Sequence, residues 1–281
     1  MNTDELRENL LMAPKNGYAR ITPEEREEMN AYCRRYMAFM DACKTEREAT
    51  AWATEQAIAH GFKPAVPGME VKPGDKIYYN NRDKAIALAV IGTESLAKGV
   101  NICAAHVDSP RMDVKPNPLY EDSQIAYFKT HYYGGIKKYQ WPTIPLAIHG
   151  VVYRKDGTVV TVTIGEDDND PVLMVTDLLI HLAGDQMQKP LAKGIEGEQL
   201  NVILGTEPIE GEGADLVKLN IMKWLNEKYG LIEEDFLSAE LTVVPAGRCR
   251  EVGRDRSLLA AYGHDDRVCA YRDLESLFAI E

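Results

Sequence analysis

The sequence predicts an α/β protein in which a mixed framework of helices and strands is interrupted by an antiparallel, β-rich insertion. Three stretches carry that prediction. Thr22 to Gly61 reads as two capped, periodic helices. The apolar run Val100-Asn101-Ile102-Cys103-Ala104-Ala105 reads as a buried strand ending in His106-Val107-Asp108-Ser109-Pro110. From Tyr127 onward, short strands alternate with glycine-containing turns.

Taken in order, Thr22-Pro23-Glu24-Glu25 supplies a cap, a first-turn proline and early acids, so a helix should start near Pro23 and run to about Cys43. Met29, Tyr32, Cys33, Tyr36, Met37 and Met40 recur at three and four spacing as its buried stripe. A second helix runs from about Thr45 to His60 and ends at Gly61, where His60 is a cation at the negative helix end. Lys76 to Tyr79 and Ala85 to Ile91 read as strands joined by the turn Asn80-Asn81-Arg82-Asp83. A short helical turn leads on to the His106 run. Tyr127 to Tyr133, Leu146 to Arg154 and Thr158 to Ile164 are the strands of the insertion, and Glu166 to Asp170 is a solvated acidic turn. Lys189 to Gly213 reads as a loop that should be mobile or cover something, Ala214 to Tyr229 as an amphipathic helix and Leu237 to Val244 as a strand. An apolar helix, Val268 to Ile280, follows His264-Asp265-Asp266-Arg267.

Composition narrows the function. A chain of 281 residues with 45% apolar and 27% charged residues is an ordinary globular one. Its net charge of -12 argues against nucleic acid or an anionic membrane as main partner, and suits a site built from carboxylates. The five cysteines are scattered without CxxC spacing, a reduced set. Residues Met1 to Arg7 show no basic start before an apolar stretch, and no apolar run reaches membrane-spanning length. A cytoplasmic protein is expected.

His106 and Asp108, two apart on a strand, would project together. An imidazole with a carboxylate beside it suits a metal ligand and the group that fixes its tautomer. A surface His beside a turn-forming Asp-Ser-Pro is the plainer alternative. Asp265 and Asp266 open a helix, where its dipole favours acids; the functional alternative is a bridging carboxylate, with Arg267 neutralising the second acid.

HVDSP, followed far along the chain by Gly263-His264-Asp265-Asp266-Arg267-Val268-Cys269 and preceded there by the strand Ser238 to Gly247, resembles the M18 family of metalloaminopeptidases, the aspartyl-aminopeptidase-like enzymes. The resemblance implies a zinc-peptidase-type α/β/α catalytic domain split by a β-rich dimerisation domain. Residues 1–115 and 246–281 would be the two catalytic parts and 116–245 the insertion. It also implies two divalent metal ions, zinc with cobalt or manganese as alternatives, bound by His106 and bridged by Asp265. Asp108 would orient His106. His181 would reach a neighbouring subunit's site, and the Asp265-Asp266 peptide would be strained or cis. The partners implied are a peptide with a free N-terminus, acidic by family association, and a second copy through the insertion.

Family members continue past the second motif to a Glu-Glu pair and further Asp and His ligands. The chain stops at Glu281, so it is expected to be the N-terminal part of a di-metal peptidase, with little turnover alone even with added metal. Glu233-Glu234 precedes the motif, and Glu207, Glu210 and Glu212 lack ligand spacing. A catalytically inactive subunit serving assembly and an N-acyl amino acid deacylase are the competing readings.

Overall fold

A computed structural model describes residues 2–280. They divide into two compact units, split between Ala38 and Phe39. The first holds helix α1 (Thr3–Leu10), which sequence reading did not anticipate, a 3-10 turn at Gly17–Ala19 and most of α2 (Pro23–Ala42). Asn2 and Glu5 form a capping box for α1, and Thr22 and Glu25 exchange the same two bonds at the start of α2.

In the second unit, α3 (Glu46–Ala59) begins at a capping box made by Thr45 and Glu48. Phe39, Trp52 and Tyr271 pack edge-on or tilted, with ring centroids 4.8 to 5.8 Å apart. Strands β1 (Lys63–Pro64), β2 (Lys76–Asn81) and β3 (Ala85–Val90) form a three-stranded sheet. The β2–β3 turn has Arg82 and Asp83 both at φ 58, the left-handed pair that a tight hairpin requires. After the 3-10 turn Leu96–Lys98 the expected strand is missing. Residues 99–110 carry no ladder bonds, and Val100 and Ile102 are 59% and 78% exposed. No strand runs beside them among the described residues, and without a neighbour an apolar run has neither ladder partners nor cover.

The antiparallel region is a six-stranded sheet in the order β7-β6-β9-β4-β5-β8. Its members are β4 (Arg111–Asp122), β5 (Ile125–Tyr133), β6 (Leu146–Tyr153), β7 (Val159–Ile164), β8 (Val202–Gly205) and β9 (Ala239–Pro245). β4 contains Pro116 and Pro118, which have no N–H to donate, and its register against β5 slips between Val114 and Leu119. Those prolines hid the strand from sequence reading. The expected loop 189–213 likewise contains β8, besides the one-turn helix α5 (Leu191–Gly194), which follows α4 (Gly184–Met187). Helix α6 (Leu216–Tyr229) lays Val217 and Leu225 into a core shared with Met112, Phe128, Ile148, Val243 and Phe236. Each such fully buried side chain contributes about 1.5–3 kcal/mol. Its first turn hangs from β4: Val217 and Lys218 N–H donate to Glu121 Oε2 at 2.9 and 3.0 Å. At Gly150 the backbones of β6 and β9 come so close that a Cβ would lie 1.9 Å from Glu240 O. The hairpin β10 (Arg250–Val252) and β11 (Leu258–Ala260) leads to α7 (His264–Phe278). The mixed α/β class predicted from sequence holds.

A buried polar network fastens α3 to this sheet. His149 on β6 places Nδ1 2.7 Å from Glu48 Oε1 and Nε2 3.0 Å from Glu166 Oε1. Both ring nitrogens face carboxylates, so both must donate, and the ring is an imidazolium. Lys44 Nζ donates to Gly247 O, and Gly247 N–H to Glu166 Oε2. Burial opposes the charge on His149, but its bonds to Glu166 and Glu48 outweigh it and push the pKa up to about 9. The same bonds, against the burial that opposes them, hold Glu48 and Glu166 below the usual carboxylate range.

Because the folded value exceeds the ordinary 6.5, the stabilisation from His149 is complete below that pH and is lost as pH rises through about 9. The carboxylates act oppositely: their stabilisation is present above an ordinary 4.5 and is lost on acidification. Chemical denaturation should therefore show stability falling by on the order of 3 kcal/mol across the His149 window. His149→Gln should flatten that fall. An unchanged slope in the variant would refute the imidazolium assignment.

Candidate metal centre

Two segments far apart in sequence meet where the loop 99–110 touches the start of α7. His106 Nε2 lies 3.2 Å from Asp265 Oδ1. Behind the ring, His106 Nδ1 donates to the backbone carbonyl of Asp108 at 2.9 Å and lies 3.3 Å from Asp108 Oδ1. Asp108 Oδ2 accepts from the Tyr133 hydroxyl at 2.7 Å. Asp265 is 93% exposed and His106 51%, so the pair lies at the surface.

The frame around the pair is buried. Ser109 Oγ donates to Asp265 O at 2.9 Å. Arg267, fully buried, donates from Nε to Val107 O at 3.1 Å and from Nη2 to Lys44 O at 2.7 Å, while its guanidinium lies 5.4 Å over the Tyr262 ring. Tyr262 in turn donates towards the carbonyls of Ser109 and Pro110. Gly263 has φ 85, and a Cβ there would meet Arg267 Nη1 at 2.2 Å, so only glycine leaves room for the guanidinium. The Asp265-Asp266 peptide is cis, and both residues depart from helical angles at the head of α7.

Charge around the pair draws positive charge to His106 and keeps Asp108 ionised. Burial is the largest single influence and opposes the charged imidazole of His106, but the Asp108 carbonyl and carboxylate, with Asp266 and Asp265, together outweigh it and raise the pKa. For Asp108, desolvation is outweighed by the Tyr133 hydroxyl and His106, and its carboxyl is lowered. The Tyr133 phenol is raised by the carboxylate it bonds. Burial pushes Tyr262 up to about 12.

The pair offers two donors to a divalent metal, and no group of three or more such side chains gathers among the described residues. Two ligands at about 2.0 Å from a tetrahedral zinc lie about 3.3 Å apart, which matches the separation of His106 Nε2 and Asp265 Oδ1. Nδ1 is already engaged, which leaves Nε2 as the coordinating nitrogen.

Of the residues singled out from sequence, the structure brings His106, Asp108 and Asp265 together. His181 is not among the residues touching them; it sits in an exposed turn at 180–182, ahead of α4. No ion pair between Arg267 and Asp266 is seen among the described residues; Arg267 Nε and Nη2 donate to backbone carbonyls instead. Glu233 and Glu234 are paired on the surface with Lys218 and Lys155. Sequence reading missed Tyr133. The only available signal was register: Tyr133 pairs with Arg111 across β4–β5, which sets it beside the HVDSP loop.

Comparison with known proteins identifies the family. The profile of the family described as aminopeptidase I zinc metalloprotease (M18) matches residues 39–281. The chain is 49% identical over 278 residues to a probable M18 family aminopeptidase 1 of Clostridium acetobutylicum, covering 97% of this chain and 60% of that protein. A crystal structure of an M18 aminopeptidase from Thermotoga maritima superposes with a TM-score of 0.89 at 46% identity, over 96% of this chain and 59% of the other. The S. cerevisiae mApe1 dodecamer shares the fold at 17% identity and a TM-score of 0.67, over 89% of this chain and 56% of that one. The chain thus spans about three fifths of the length of the relatives it matches most fully. By profile, sequence and fold together, it belongs to the M18 family of aminopeptidases.

Proposed function

We propose that this chain supplies the imidazole and the bridging carboxylate of a di-metal aminopeptidase site that removes N-terminal residues from peptides. The observation that carries the reading is the 3.2 Å approach of His106 Nε2 to Asp265 Oδ1, with Asp108 behind the ring. In it His106, as the neutral imidazole, and Asp265 would hold the metals, zinc by family and cobalt or manganese as substitutes, and Asp108 would fix the Nδ1–H tautomer of His106. When bound, such a pair polarises the scissile carbonyl and acidifies a water molecule. The exposed carboxylates at the mouth hold the positive α-amino group of the substrate. Zinc hydrolase sites take about three protein ligands per metal; the remaining ligands would come from the part of the family's length that this chain does not span.

In the same reading, residues 1–115 and 246–281 build the catalytic part and 116–245 the inserted dimerisation part. Leu178, Leu179, Ile180 and Leu182 are each more than half exposed around His181, an apolar surface that a second copy would cover. His181 would then reach the neighbour's site. The five cysteines are all free, which suits a reducing, cytoplasmic compartment, and no described helix is long and apolar enough to cross a membrane.

Substituting His106→Ala or Asp265→Asn in a protein of full family length should lower zinc affinity more than about 100-fold and abolish chelator-sensitive release of N-terminal residues. Unaltered zinc binding by both variants would overturn the metal assignment. In sedimentation, the natural protein should run as an assembly at micromolar concentration, and Ile180→Asp should shift it towards the monomer. A natural protein that sediments as a monomer would remove both the interface and the role of His181.

A further inference from the structure

The two oxygens of Asp108 face different parts of the molecule. Oδ1 lies behind His106, whereas Oδ2 accepts a hydrogen bond from Tyr133, a residue outside the ligand-bearing loop at the last position of β5. Tyr133 is itself held. The Arg111 guanidinium sits 4.4 Å from its ring centroid, and Arg111 is buried and fixed by Glu46 at 3.1 and 3.2 Å and by Asp113 at 2.8 Å. The phenol therefore reaches Asp108 from a clamped ring, and the clamp leads back to the first turn of α3. Packing alone does not call for the hydroxyl, because the ring is 42% exposed and phenylalanine would keep the stack on Arg111.

We infer that Tyr133 is a positioning residue of the metal centre: by holding Asp108 Oδ2 it keeps Oδ1 against His106 Nδ1, and so keeps His106 Nε2 aimed at Asp265. The inference rests on the metal-site reading above and adds that a residue of the six-stranded sheet sets metal affinity. Partners of this kind, behind a ligating histidine, are worth about 10- to 100-fold in affinity. The backbone carbonyl of Asp108 also accepts from Nδ1, so some orientation survives without the carboxylate, and the effect of Tyr133 falls at the lower end of that range.

The test is zinc affinity by competition with a chromogenic chelator, in a protein of full family length, for the natural protein, Tyr133→Phe, Asp108→Ala and the double variant, with His106→Ala alongside. Tyr133→Phe should weaken zinc binding about 10-fold, and should cost nothing further once Asp108 is alanine, because it acts through that carboxylate. The cobalt-loaded visible spectrum of Tyr133→Phe should shift as well, a change that a purely packing role would not produce. A Tyr133→Phe protein within twofold of natural affinity, or one losing the same factor with and without Asp108, overturns the inference while His106→Ala still loses zinc. If His106→Ala keeps natural affinity, the metal-site reading fails, and the role of Tyr133 fails with it.

Discussion

The buried guanidinium of Arg267 is the contact on which the candidate centre depends. A cation removed from water is costly unless its donors are used; here Nε and Nη2 are spent on the carbonyls of Val107 and Lys44, while Nη1 is buried without a hydrogen-bond partner among the described residues. Those two bonds, with Ser109 donating to Asp265 O, tie the HVDSP loop, the lead into α3 and the head of α7 into one corner. His106 and Asp265 face each other because their backbones are pinned from beneath, not because their exposed side chains attract. An exposed His–Asp contact is worth little by itself. The absent side chain of Gly263 is part of the same arrangement, since any Cβ there would occupy the guanidinium's place.

A second buried charge works on a different boundary. His149, between Glu48 and Glu166, links the capping box of α3 to β6 and to the turn after β7, and Lys44 adds the turn that ends β9. Lys44 belongs to both systems: its ammonium serves the His149 network while its carbonyl receives Arg267. The sheet and the metal corner are therefore braced through one residue.

What the sequence disclosed follows the range of each interaction. Helices α2 and α3 were legible within a residue or two, because capping boxes and first-turn acids act over three or four positions. The β2–β3 and β6–β7 hairpins were legible for the same reason. The run from Val100 to Ala105 was misread: apolar composition reports a preference for cover, not the presence of a neighbour that supplies it. β4 was hidden by its prolines, and Glu166, read as one acid of a solvated turn, is half of a buried pair. His106, Asp108 and Asp265 could be named from two motifs, yet Tyr133 could not, since its place depends on the pairing of β4 with β5.

The slipped register in β4 gives the sheet a break in its length. On one side, Arg111 to Val114 pair with β5, and Met112 and Asp113 also with β9, next to the metal corner; on the other, Leu119 to Asp122 pair with β5 and carry the first turn of α6 through Glu121. Between them lies a stretch without regular pairing, so a residue gained or lost there need not be transmitted along the ladder. The outer half of the sheet, with the helix it carries, is thus free to vary in length over evolutionary time while the alignment of Arg111 with Tyr133 stays fixed.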